Sequence, residues 1–426
     1  MTYEEAVAYI HSVSWIGHKP GLTRTRSLLA ALGDPHKGLK FVHVAGTNGK
    51  GSTCAMLNAC LMAAGYRVGM FTSPFLNRFN ERIQLNGVPI PDADLVRLVE
   101  EVRPVAESLP ESPTEFEMIT GIGMLYFARS GCDIVVLEVG MGGELDSTNV
   151  IDTPEAAVIT AMGLDHVKEL GPTMTDIAEK KAGIIKAGGR VVSYGGNPEA
   201  DAVFAREAAR QGATLQVVDH SGITLHGADL EAITFSFDGF TRVRLPLIGA
   251  YQPDNAAVAI TALRVLQRRG WRISDEAIRA GLEQVRWPGR FEVLRRRPVV
   301  LLDGSHNAHG MRATVESIRY VFPGKKLTLL LAVCSDKDVP QMLQLLAPVA
   351  DSVVTVEAPT PRALPAGELA ALVRKTGVPA EAAPTIEEGV ARVLEKAGGE
   401  GIVCALGTLY FSGPVRQAVE AQLPRE

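Results

Sequence analysis

The chain is poor in the features that mark secreted, membrane-spanning and nucleic-acid-binding proteins. Its five cysteines, Cys54, Cys60, Cys132, Cys334 and Cys404, form no CxxC pair, are odd in number and sit in apolar stretches such as CDIVVLEV. That argues against a disulfide framework and for reduced thiols in a core. No apolar run reaches the roughly 18–20 residues that cross a bilayer. The first ten residues, MTYEEAVAYI, carry acid where a signal peptide carries base, so the expected location is cytoplasmic, away from membranes. Positive charge is not in surplus either. Against 43 basic residues stand 48 acidic ones, a net charge of −5 that leaves no electrostatic case for a nucleic-acid partner. The densest basic run, Arg295-Arg296-Arg297, has no interleaved aromatics and reads as a solvated strand edge or turn. Internal repeats and low-complexity segments are missing, and a chain 46% hydrophobic and 21% charged leaves little room for disorder.

What is present is alternation. At 426 residues the chain exceeds one compact core, which makes two domains the expectation. Short apolar runs at 41–44, 67–71, 133–139, 157–160 and 190–193 read as buried strands of an α/β protein with a mainly parallel sheet. Between the first two, Met56, Leu57, Cys60, Leu61 and Ala64 recur at helical spacing, and Gly65 offers a stop. Residues 114–130 and 253–270 read as further helices. A break falls at Trp287-Pro288-Gly289-Arg290, where proline and glycine suit a linker. Beyond it VVLLD, LTLLLAVC, SVVTV and IVCAL alternate with helical stretches near 309–321 and 339–348, as in a small doubly wound sheet. The expected division is therefore 1–288 and 289–426.

The strongest local signal is Phe41-Val-His-Val-Ala-Gly46-Thr47-Asn48-Gly49-Lys50-Gly51-Ser52-Thr53. A strand enters a glycine-rich turn and a helix leaves it, which aims backbone N–H groups and a helix N-terminus at an anion. Lys50 offers a point charge to the β- and γ-phosphates of a nucleotide, and Ser52 or Thr53 a hydroxyl to Mg²⁺. The loop is shorter than the common GxxxxGK[ST] string, and Gly51 separates lysine from hydroxyl. On this motif alone a kinase, a motor, a switch and a ligase all remain open.

Further motifs narrow the choice. Thr72-Ser73-Pro74-Phe75-Leu76 is followed by Arg78-Phe79-Asn80-Glu81-Arg82, then Glu138-Val139-Gly140-Met141-Gly142-Gly143 and Leu145-Asp146-Ser147-Thr148-Asn149. Leu164-Asp165-His166, Lys181-Ala182-Gly183-Ile184, Asp303-Gly304-Ser305-His306-Asn307 and Asp336-Lys337-Asp338 complete the series. In order and spacing, across nearly the whole chain, this resembles the folylpolyglutamate synthase and dihydrofolate synthase family, relatives of the muramyl-peptide ligases. Ser305 stands where that family usually has alanine, and Glu144 where it often has arginine; neither removes a group that the chemistry requires.

The resemblance implies an N-terminal P-loop ATPase domain, a smaller C-terminal Rossmann-like domain and an ATP-dependent amide ligase. Such an enzyme transfers the γ-phosphoryl group of ATP to a folate carboxylate, and the amino group of L-glutamate attacks the acyl phosphate. It implies ATP contacts from Thr47, Asn48, Gly49, Lys50, Gly51 and Ser52, and from Asn255, Arg290, Asp303 and His306. It places Mg²⁺ on Ser73, Glu138 and His166. Glu138 ends an apolar strand, at the sheet edge where ligands bind. Lys181, in preference to its neighbour Lys180, is the family's carbamylated lysine, which burial would favour by depressing its pKa. His306 and His309 share an HxxH spacing, but no further ligands accompany them, so zinc is set aside.

For the folate side, Lys19, Pro20 and Gly21 resemble a pterin loop of members that also act on dihydropteroate. Arg82 and Phe116 are candidates by position. Phe116 is a ring-stacking surface or a core residue, and Lys19 a pterin contact or a solvated lysine. The implied substrates are a reduced folate or dihydropteroate, L-glutamate and ATP, and the implied state is a monomer. The alternatives are a monofunctional folylpolyglutamate synthase, a muramyl-peptide ligase, a P-loop kinase and a non-catalytic nucleotide-binding regulator.

Overall fold

The computed structural model describes residues 1–13 and 21–423. The chain folds into two compact units, one of Met1–Gly222 with Asp254–Val285, the other of Ile223–Pro253 with Arg286–Glu426. This differs from a single cut at 288/289, because residues 223–253 group with the C-terminal unit.

The first unit carries strands β1 (Phe41–Ala45), β2 (Val68–Phe71), β3 (Ile83–Leu85), β4 (Val88–Pro89), β5 (Ile134–Glu138), β6 (Ala156–Ile159), β7 (Arg190–Ser193) and β8 (Thr214–Val217). They form one sheet in the order β4-β3-β2-β5-β1-β6-β7-β8. β2 and every strand from β5 to β8 on that list run parallel, while β3 and β4 are antiparallel. β1 and β5 are buried along their whole length, as expected of parallel strands covered on both faces.

Its helices are α1 (Tyr3–Ser12), α2 (Thr23–Ala31), α3 (Lys50–Ala63), α4 (Asp92–Ser108), α5 (Glu115–Arg129), α6 (Val167–Leu170), α7 (Met174–Ala182) and α8 (Pro198–Arg210). Later in the chain, α9 (Gln252–Arg268) and α10 (Asp275–Gln284) complete the unit. One core gathers Ile10, Leu28, Leu98, Ile122 and Phe127 from α1, α2, α4 and α5 against Phe71, Val135 and Leu137 of the sheet. Another packs Ile177, Ala178, Val203 and Phe204 of α7 and α8 against Ile159 and Val191. Side-chain caps fix several helix starts. Thr114 accepts from Glu117 N while the Glu117 carboxylate accepts from Thr114 N, so α5 begins at a defined residue.

The second unit holds a three-stranded antiparallel sheet of β9 (Thr224–Ala228), β10 (Ile233–Phe237) and β11 (Phe240–Leu245). Its six-stranded sheet consists of β12 (Glu292–Arg296), β13 (Val299–Leu302), β14 (Leu327–Leu331), β15 (Ala350–Thr355), β16 (Ala380–Ala382) and β17 (Ile402–Leu406), in the order β12-β13-β17-β14-β15-β16. All but β12 run parallel. Along β14, Leu329 and Leu331 enter one core and Leu330 the other, the period of two that a doubly covered strand requires. Arg296 and Arg297 are exposed at the edge strand β12 and the turn after it.

Candidate active site

β1, β5 and β6 are adjacent and parallel, so the loops after them open at one sheet edge. The loop after β1 is the glycine-rich one. Gly49 caps α3 with φ +84°, and a Cβ there would lie 2.4 Å from Asn255 Oδ1, so both backbone and space demand glycine. The Thr47 and Asn48 N–H groups both donate to Ala161 O, at 3.0 and 3.1 Å, and the Thr47 hydroxyl donates to Gly163 O. These two residues therefore moor the loop to the segment after β6. α3 starts at Lys50, so Lys50, Gly51 and Ser52 make up its first turn, the end of a helix that favours an anion.

Lys50 folds back over its own loop, its Nζ donating to Gly46 O at 3.2 Å and Thr47 O at 3.3 Å. The buried Lys181 reaches the same Gly46 carbonyl from α7 at 2.8 Å. Burial and the neighbouring Lys50 charge pull the Lys181 pKa down from 10.5 to about 7. Lys180 behaves differently: its exposed ammonium faces Glu144 at 3.4 Å. The glutamate that departs from the family pattern thus neutralises the solvated lysine of the pair.

Glu138, 3% exposed at the end of β5, accepts a hydrogen bond from Ser73 N at 3.0 Å. Ser73 and Glu138 are thus neighbours. His166 caps α6 in a left-handed conformation and is exposed, with its N–H held by Asp165 Oδ1 at 2.9 Å. Among the described residues no three His, Cys, Asp or Glu side chains form a metal cluster. Mg²⁺ asks for less, since it keeps waters and substrate phosphates and needs one or two carboxylate ligands from protein. A buried carboxylate beside a serine at the mouth of the phosphate loop fits that requirement.

On the neighbouring surface the Arg82 guanidinium lies 5.3 and 5.5 Å from the Phe75 and Phe79 ring centres and 3.7 Å from Glu115. Glu81 accepts from the N–H groups of Leu76, Asn77 and Arg78, which shapes the loop that carries these aromatics. Half-buried Phe116 packs edge-on to Phe71 at 5.9 Å, and its ring fills the space beside Gly140. Gly21 is described and makes no contact that a Cβ would disturb, whereas Lys19 and Pro20 lie outside the described residues.

In the second unit, Asp303 is buried and accepts from Phe291 N, Ser305 N and the Thr314 hydroxyl at 2.8, 3.0 and 2.8 Å. Its carboxylate organises the loop after β13. Ser305 joins this network through its hydroxyl, 2.7 Å from Thr314 Oγ1. Partly exposed Arg290 and His306 flank the loop; a Cβ on Gly304 would lie 2.7 Å from Arg290 Nη1, and His306 Nδ1 is 2.9 Å from Gly304 O.

Sequence reasoning quoted His43 and Thr148 inside motifs but gave neither a role. His43 is fully buried on β1, with Nε2 2.8 Å from Thr148 Oγ1, and that hydroxyl donates to Asp146 Oδ1 at 2.6 Å. The available signal was one polar residue inside the apolar run FVHVA.

Residues 44–263 match the Mur ligase middle domain and residues 289–409 the Mur ligase glutamate ligase domain. The chain is 38% identical to the dihydrofolate synthase/folylpolyglutamate synthase of Bacillus subtilis, across 98% of this chain and 99% of that one. Its fold superposes on folylpolyglutamate synthase of Mycobacterium tuberculosis complexed with ADP, with a TM-score of 0.90, 30% identity and coverage of 100% and 98% of the two chains. Escherichia coli FolC, solved with DHPP and ADP, is similarly close, with a TM-score of 0.87, 30% identity and coverage of 99% and 98%.

Proposed function

Because the chain belongs to the folylpolyglutamate synthase and dihydrofolate synthase family of Mur ligases, we propose that it joins L-glutamate to the carboxylate of reduced folates, and also to dihydropteroate. It is an ATP-dependent acid–amino-acid ligase. The single observation that carries the residue-level reading is the meeting of Lys50 and Lys181 at Gly46 O, at 3.2 and 2.8 Å, on the sheet edge where Glu138 ends β5.

A free carboxylate is anionic and lacks a leaving group, so an amine does not displace its oxygen. Phosphorylation by ATP supplies the leaving group, and glutamate nitrogen then displaces phosphate. Anionic groups converge in this reaction, which makes fixed cations and N–H dipoles the principal requirement. Lys50 and the α3 N-terminus hold the phosphates, with Thr47 and Asn48 mooring their loop. Glu138, Ser73 and His166 would hold Mg²⁺, which when bound neutralises phosphate charge. In the first unit Asn255 stands beside Gly49 of the phosphate loop and serves the nucleotide there; within the second unit Asp303 shapes the loop beside Arg290 and His306, the nucleotide residues of that unit. Lys181 reacts through its neutral amine: nitrogen attacks CO₂, a proton leaves, and a carbamate anion replaces an ammonium. A pKa of about 7 keeps a large share of that amine neutral.

Arg82, set among Phe75, Phe79 and Glu115, is suited to a flat, polar aromatic acceptor. The dual activity draws support from the dual name of the Bacillus subtilis relative. We place the enzyme in the cytoplasm as a monomer acting on small molecules; among the described residues no helix is long and apolar enough to cross a membrane. The deciding assay is ADP release and glutamate incorporation. Both should require tetrahydrofolate and glutamate together, and dihydropteroate should serve as sole acceptor. ATP turnover that ignores glutamate overturns the ligase reading; acceptance of reduced folates alone overturns the dual one.

A further inference from the structure

β1 carries a histidine where every neighbour is apolar. His43 is 0% exposed, on the face of the strand that Phe41 and Ala45 share, with the equally buried Val42 and Val44 on the other. An imidazole buried there must find partners or forfeit hydrogen bonds. It finds one. The Thr148 hydroxyl gives its hydrogen to Asp146 Oδ1 at 2.6 Å, so its oxygen has to accept from His43 Nε2–H at 2.8 Å. That fixes the tautomer and leaves Nδ1 a bare acceptor, buried and without a partner. An apolar residue would suit the strand better on packing grounds, so what the histidine adds here is the Thr148 bond.

That bond leads into the segment between Glu138 and Lys181. Asp146 accepts from Thr148 N at 3.0 Å and, with its other oxygen, from Met141 N at 2.9 Å, which closes residues 141–148 into a rigid turn. The turn grips the end of α7. Glu144 N donates to Lys180 O at 2.7 Å, and Asn149 Nδ2 donates to Glu144 O and Gly183 O at 3.0 and 3.1 Å. A Cβ on Gly143 would lie 2.9 Å from Lys180 O and 3.1 Å from Lys181 Cα, so the two backbones touch. Lys181 Nζ then returns to Gly46 O, three residues beyond His43. The path is a closed ring from β1 through Thr148, Asp146 and the 141–149 turn to Lys181 and back to the phosphate loop.

We propose that His43 is a positioning residue of the ligase: through Thr148 and Asp146 it sets the 141–149 turn, and thereby the place of Lys181, against the phosphate loop. The inference rests on the role given above to Lys181. His43 does not touch substrate and donates no proton during turnover. Its task is to hold one hydrogen bond of fixed direction from the strand that carries the phosphate loop.

The test compares full-length His43→Leu, His43→Gln, Thr148→Val and Thr148→Ser. Glutamine can place an amide N–H near the imidazole Nε2 position, and serine keeps the hydroxyl. His43→Leu and Thr148→Val should each lower kcat by about 10–100-fold, with KM for ATP within about threefold of wild type. His43→Gln and Thr148→Ser should recover most of the rate. The double variant should be no slower than either single one, since both break the same link. A second readout is the carbamate signal of Lys181 in ¹³C NMR with labelled bicarbonate, which should weaken in His43→Leu and persist in His43→Gln. Equal kcat in all four variants overturns the proposal, as does a lower melting temperature at unchanged kcat. Should His43→Leu fail to fold, the Thr148 pair decides. A missing carbamate in wild type, with the kinetic pattern intact, overturns the carbamate reading of Lys181 and leaves the positioning role standing.

Discussion

Replacing Lys181 by methionine should abolish turnover and yet, near pH 6, make the protein harder to melt. Lys181 is 4% exposed, and burial together with Lys50 lowers its pKa from 10.5 to about 7. Below about pH 7 the folded protein holds this ammonium against its surroundings, whereas the unfolded chain holds it in water. At 1.36 kcal/mol for each tenfold change in proton affinity, the fall from 10.5 to about 7 costs on the order of 5 kcal/mol of stability. Between about pH 7 and 10.5 the unfolded state binds more protons, so stability rises with pH; above 10.5 both states are neutral and the penalty is gone. Methionine has a similar length and no charge, and forfeits the bond to Gly46 O, a loss of about 1 kcal/mol. The variant should therefore be more stable by roughly 3–4 kcal/mol near pH 6, on the order of 10 °C in melting temperature, and lose that advantage towards pH 10. Thermal unfolding of both proteins across this range measures the gap. Bicarbonate should raise the wild-type midpoint near neutrality and leave the variant unmoved, because carbamylation turns the buried cation into an anion beside Lys50. A gap independent of pH would refute the reasoning.

Glu138→Gln should keep the fold and cut turnover by about 10²–10³ if its carboxylate serves the reacting phosphate; a near-normal rate in a protein with native circular dichroism would remove that role. Gly49→Ala should raise KM for ATP and lower the melting temperature, since a Cβ there meets Asn255 Oδ1 at 2.4 Å with φ at +84°; an unchanged KM would show that the loop relaxes without cost. Asp303→Asn should lower stability by about 1–3 kcal/mol in urea, because the new amide NH2 must face a donor on either side, the Phe291 N–H in place of Oδ2 or the Ser305 N–H in place of Oδ1. An Asp303→Asn midpoint equal to wild type would separate this carboxylate from the loop it is said to organise.

The elements that sequence reasoning located are those where burial leaves a plain trace. β1, β5 and β14 are buried end to end and read as mainly apolar runs, so their bounds fell within one to three residues. The choice of Lys181 over Lys180 rested on motif register; in the fold Lys181 is buried and the Lys180 side chain is solvated. β9 to β11 left a weaker trace: Thr224, Leu225 and His226 are exposed, and β11 alternates irregularly. Without that sheet, the grouping of residues 223–253 with the second unit was invisible. Thr47 and Asn48 illustrate a different limit. Their place in a glycine-rich loop suggests N–H groups aimed at phosphate, but the acceptor that takes them, Ala161 O, lies more than a hundred residues away. No local pattern encodes such a partner. The His43–Thr148–Asp146 chain is hidden for the same reason.

The route of the chain between its two compact units has a consequence for biosynthesis. It crosses at Gly222/Ile223, at Pro253/Asp254 and at Val285/Arg286. On the ribosome, residues 223–253 emerge before the rest of their unit, so Ile233, Phe235, Val243 and Leu245, all fully buried in the finished protein, must wait in a nascent hairpin. The first unit waits as well. Its phosphate-loop helix α3 needs α10, where Ile278 O accepts from Cys60 Sγ at 3.3 Å, and α10 is translated more than two hundred residues later. Ending the gene after residue 288 would therefore yield a complete first unit tethered to an orphaned apolar hairpin, a product prone to aggregate. Co-expression of two fragments split there should give less soluble protein than a permutant that returns residues 223–253 to the half they fold with.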